Sequence, residues 1–102
     1  MKIVQILLPL WSNAGEQFPK ALFDQVRDEL VNQFSGLTAY TQSPVSGLWQ
    51  QKDGETTRDQ LLIYEVMVKE LDLRWWSEYK AELEKRFKQD ELIIRAQAIS
   101  LL

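Results

Sequence analysis

Three polar residues stand inside otherwise aliphatic runs, and their types and spacing suit chemistry. Gln5 lies between Ile3 and Leu7 at two-residue spacing, Glu65 between Ile63 and Met67, and Arg95 between Ile93 and Gln97. In a strand, residues two apart share a face, so each polar group shares its face with apolar neighbours. Arg95 brings a permanent cation and Glu65 a candidate general base, and together with Gln5 they would orient a small organic acid or enolate. The same three residues equally suit a salt-bridge and hydrogen-bond network that fixes how two copies dock, because a charge withdrawn from water needs a partner. Arg95 is therefore expected to meet Glu65 directly or through Gln5.

Aromatic residues supply a second candidate. Trp11 lies in the first loop, Tyr40 and Trp49 on an interrupted strand, Tyr64 on a central strand and Trp75 on the second helix. A pocket walled by Trp11, Tyr40, Trp49 and Trp75 would accept a flat apolar ligand, with the Tyr64 hydroxyl as its polar anchor. The plainer reading is that these rings supply core volume. Trp75 and Tyr79 are spaced to pair beside the helical stripe that holds Trp76.

Other chemistries lack their residues. The chain has no histidine and no cysteine, which removes zinc fingers, the usual haem ligands and cysteine or serine–histidine catalysis. A carboxylate site for a hard ion is the one metal option, and no residue set marks it. The glycines are dispersed at 15, 36, 47 and 54, so no glycine-rich phosphate loop exists. No cofactor is expected. Twelve basic residues against fifteen acidic ones give a net charge of −3 without a basic stripe, which argues against nucleic acid or an anionic membrane as partner. No apolar run is long enough to span a bilayer and no signal peptide opens the chain, so a cytoplasmic location is expected.

Six elements must position these groups. Residues 2–9, rich in Ile, Val and Leu, read as a strand ended by Pro9, and residues 11–18 as a loop. Pro19 suits the first position of a helix; Leu22, Phe23, Val26, Leu30 and Phe34 follow at helical spacing, and Gly36 suits an αL cap. Residues 37–50 read as a strand broken around Pro44, which belongs at a sheet edge or bulge. Asp53-Gly54 predicts a type I′ turn that would set Trp49 opposite Arg58, with Gly54 at positive φ. Residues 57–69 form a long strand with Leu62, Tyr64, Val66 and Val68 on one face. Asp72 caps the second helix, where Trp76, Leu83 and Phe87 make the buried stripe and Lys80–Glu84, Glu82–Arg86 and Glu84–Lys88 are spaced as ion pairs. Residues 91–102 close the chain as a strand with Ile93, Arg95, Gln97, Ile99 and Leu101 on one face.

At 102 residues the chain suits one domain, 1–102, with a core of its own. Two strand–helix–strand units in tandem give the expected fold, an α+β ferredoxin-like βαββαβ sandwich with strand order 4-1-3-2 and both helices on one face. With its mixed open face (Ile3, Gln5, Leu7; Ile63, Glu65, Met67; Ile93, Arg95), the chain resembles the dimeric α+β barrel group of small ferredoxin-like proteins. That group includes cofactor-free monooxygenases and muconolactone-isomerase-like enzymes. The resemblance covers almost the whole chain and rests on architecture, with no family motif to carry catalytic roles to named positions. It implies sheets of two subunits packed together and a pocket between sheet and helices.

Three functional readings follow. The first is a self-associating domain, a homodimer or dimer-based oligomer joined through Ile3, Leu7, Ile63, Met67, Ile93 and Ile99, since an apolar sheet face is poorly left in water. The second is a cofactor-free enzyme acting on a small aromatic or enolisable substrate. The third is a small-molecule binding module.

Overall fold

The computed structural model describes the backbone of residues 1–50 and 56–102 and the side chains of residues 1–38 and 61–102. The elements run β1 (Lys2–Pro9), α1 (Lys20–Phe34), β2 (Thr38–Gln50), β3 (Thr56–Val68), α2 (Leu73–Arg86) and β4 (Ile93–Ala98). The strands form one antiparallel sheet in the order β2-β3-β1-β4. Pro44 thus lies on an edge strand, in the segment between Tyr40 and Val45 where the β2–β3 register shifts. No described helix is long and apolar enough to cross a membrane.

Period-two alternation sorts the strand residues. Val4, Ile6 and Leu8 of β1 and Leu62, Tyr64, Val66 and Val68 of β3 share a core with Phe23, Val26 and Leu30 of α1 and Trp76 and Leu83 of α2, so both helices cover one face. The helices are antiparallel, because Phe87 just past α2 meets Phe23 near the start of α1, while Phe34 at the end of α1 stacks on Trp76. Burying each such large side chain contributes roughly 1.5–3 kcal/mol by transfer alone. That layer, and not the sheet by itself, holds β1 and β3 in place.

Several local expectations need correction. Helix α1 ends at Phe34, and Ser35, one residue before Gly36, takes the left-handed turn at φ 61, its N–H donating to Val31 O. Phe34, the last helical residue, stacks on Trp76 and meets Trp75 edge-on, directly before this turn. Pro19 is the N-cap, with extended ψ 146, and Lys20 the first helical residue. Strand β4 stops at Ala98 because β1 starts at Lys2, its partner; Ile99 makes one last bond to Met1 O, and Leu101 is exposed. Ile99 and Leu101 are thus off the regular strand.

Two further pairings differ. The β2–β3 register sets Trp49 opposite Thr57 and Leu48 opposite Arg58, one residue from the expected alignment. The Asp53-Gly54 turn lies outside the described residues. On α2, Asp72 caps as expected, accepting from Trp75 N at 3.1 Å, and Glu82 pairs with Arg86 at 3.1 Å. Lys80 instead reaches Glu91 at 2.6 Å, since Glu84 accepts the Leu92 N–H that starts the final strand.

Candidate functional site

The open face of the sheet, opposite the helices, carries the polar cluster. Gln5 pairs across the ladder with Glu65 on β3 and with Arg95 on β4. Directly opposed residues share a face, so the three side chains form one row across three strands. Gln5 Nε2 donates to Glu65 Oε1 at 2.8 Å, and Arg95 Nε donates to Gln5 Oε1 at 2.8 Å. Arg95 and Glu65 are linked through Gln5 and not directly. The amide is oriented from both sides and neutralises neither charge.

Five apolar residues and Gln97 flank this row along the strands. On one side lie Ile63, Leu7 and Ile93; on the other lie Met67, Ile3 and Gln97. Met67 and Ile93 are each 55% exposed, whereas Leu7 in the middle strand is buried. An open groove of about 320 Å³ lies beside Glu65, where Ile3, Val66 and Met67 meet the turn from Phe34 to Thr38 that links α1 to β2. A carboxylate and a guanidinium held two strands apart can bind, orient or pair with complementary charge. Among the described residues no cluster of Asp and Glu is placed to hold a metal ion.

The aromatic candidates are dispersed. Tyr64 points into the core and its hydroxyl donates to Phe23 O at 3.1 Å, so its polar tip is engaged beneath α1, and burial raises its pKa. Trp75 is half-buried against Phe34, Trp76 and Tyr79 at the start of α2. Trp11 bridges to Gln17 before α1 begins, while Trp75 contacts Phe34 at the far end of that helix, about 21 Å away at 1.5 Å per residue. The two do not wall one pocket. The side chains of Tyr40 and Trp49 lie outside the described residues.

Sequence reasoning missed a polar seam between the helices. Arg86 donates through both terminal nitrogens to Glu29, at 2.6 and 2.8 Å, and through Nε to Glu82 at 3.1 Å. Tyr79 donates to Glu29 at 2.9 Å. The bidentate hydrogen bonds from Arg86 hold Glu29 below the usual carboxylate range, and burial with the Glu29 bond pushes the Tyr79 phenol up. The seven-residue spacing of Tyr79 and Arg86 on one helical face was a signal; their partner on α1 was not. Beside this seam a cleft of about 550 Å³ opens under the first loop, where Arg86 and Lys88 face Ser12, Asn13, Gln17 and Phe18.

No family model matches this chain, and comparison by sequence finds no relative among curated proteins. Solved structures do resemble it. A divalent cation tolerance protein, Cut A1, from Thermus thermophilus superposes with a TM-score of 0.63 and 15% identity, over 99% of this chain and 86% of that one. A phage SAM lyase in complex with S-methyl-5'-thioadenosine matches with a TM-score of 0.59 and 16% identity, over 94% of this chain and 79% of that one. A phage SAM lyase in its apo state gives 0.60 at 12% identity, over 94% of this chain and 78% of that one. Likeness at such identities is likeness of fold: this is a small α+β protein of their architecture.

Proposed function

We propose that the chain is a single ferredoxin-like α+β domain that self-associates, its open sheet face covered by a second copy. The observation that carries this reading is the face itself, where exposed Met67 and Ile93 and half-buried Ile3 and Ile63 surround a linked row of polar groups. Covering what remains exposed of those apolar side chains is favourable at roughly 25 cal/mol per Å² removed from water, the gain from which the cost of association is drawn. Arg95 and Glu65 are then docking residues and not catalytic ones. Ile63→Lys places an ammonium in the middle of this surface and should convert the oligomer to monomer in size-exclusion chromatography, with unchanged far-UV circular dichroism. An Ile63→Lys protein that elutes with the wild type would overturn the assignment of the face.

One observation favours small-molecule binding as a second reading. The cleft under the first loop sets Lys88 and the Glu29-bound Arg86 with Glu16 beside the apolar Phe18 and Leu22, and the phage SAM lyase of similar fold is in complex with a small ligand, S-methyl-5'-thioadenosine. Ligand-dependent thermal shift without turnover would support that reading; a flat response across anionic and aromatic compounds would remove it.

A further inference from the structure

We infer that the charged row selects one geometry for the pair: the two-fold axis runs along β1, and Glu65 of each copy lies over Arg95 of the other. The inference rests on the self-association reading above and specifies what that reading leaves open. The row is a line of three side chains with opposite charges at its ends, Glu65 on β3 and Arg95 on β4, with neutral Gln5 between them on β1. Two strand spacings separate the ends by about 9.6 Å. Arg95 uses only its Nε–H on Gln5, and no carboxylate of the described residues pairs with it. Glu65 accepts at Oε1 alone. In water this is inexpensive. Under a second sheet each charge loses its hydration and needs an opposite charge, and a second copy presents only the same row.

Sheets that stack face to face do so either aligned, with strands within about 30° of each other, or near right angles. The aligned packing is the one that lays one row of side chains along another, and a closed pair of identical chains is related by a two-fold axis. An axis centred on Gln5 can then run along the strands or across them. Across the strands, Glu65 would lie over Glu65 and Arg95 over Arg95, and Ile93 over the polar Gln97. Along the strands, Glu65 lies over Arg95 twice, Ile63 over Ile93 twice, Met67 over Gln97 twice, and Leu7 over Leu7. Gln97 meets an apolar side chain in either arrangement, so the charges decide: the first buries like charges, and the second pairs every charge. A 30° crossing displaces the row ends by about 2.5 Å, within the reach of an arginine side chain. Gln5 acts as a positioning residue, since its amide holds both charged groups upright at the required spacing.

The test is a charge reversal read by sedimentation velocity and native mass spectrometry on the full chain. Glu65→Arg alone and Arg95→Glu alone should each weaken self-association by about a hundredfold or more, because every facing pair becomes a like-charge pair. An equimolar mixture of the two variants should form a heterodimer within about tenfold of wild-type affinity, since both facing pairs are again opposite. With the axis across the strands, Glu65→Arg would replace one like-charge pair by another and leave affinity unchanged. Single variants that associate as tightly as wild type, or a mixture that stays monomeric while wild type dimerises, would overturn the inference and leave the self-association reading standing. A monomeric wild type would overturn both.

Discussion

Ser35 takes a left-handed turn at φ 61 although glycine follows it, and its N–H bond to Val31 O closes the helix there. A side chain in that region costs about 1–2 kcal/mol, and glycine relieves it at some cost in unfolded-state entropy. Ser35→Gly should therefore raise the urea midpoint, with a net gain of about 0.5–1 kcal/mol; a lower midpoint would mean that the serine hydroxyl stabilises this turn. Lys88, at φ 52, is the same device at the end of α2, with Gln89 N donating to Glu84 O. The Asp72 cap was legible because a carboxylate before an apolar helix has few other uses. The left-handed residues were not, since Ser35 and Lys88 take positive φ without being glycines, and Gly36 stands one residue too late to mark the first turn.

Between α1 and α2 the seam of Glu29, Tyr79 and Arg86 makes helix pairing depend on ionisation. Arg86 holds Glu29 below its ordinary value, so the seam's contribution is complete above the unfolded carboxylate range, about pH 4.3, and is lost as pH falls through the lower folded value. Wild-type thermal stability should thus decline more steeply below about pH 4.3 than that of Glu29→Gln, whose amide does not titrate. Parallel acid profiles for the two proteins would remove Glu29 from the account. The element order and the buried stripes of both helices followed from periodicity, as did the Glu82–Arg86 pair. Glu29–Arg86 could not, because a contact between residues 57 apart exists only once the helices are laid antiparallel. Lys80 went to Glu91 for the same kind of reason, the spacing rule having no knowledge of the strand that returns beside α2.

A sheet with helices on one face leaves the other to water or to a partner, and here that face carries both aliphatic side chains and a linked charge row. The mixture was visible in three separate strands before any fold was known, because alternation needs no long-range information. The link through Gln5 required the strand register, and the side-by-side placement of β4, β1 and β3 supplied it. The Trp11–Trp75 pocket was not there to be read: loop and helix start lie at opposite ends of α1. Self-association through the open face is the central claim, and the mass of the wild-type chain in solution tests it most directly. Sedimentation equilibrium over a dilution series in the micromolar range should give twice the 12.0 kDa chain mass, or a multiple of it, falling toward 12.0 kDa on dilution. A mass of 12.0 kDa at every concentration would contradict the account.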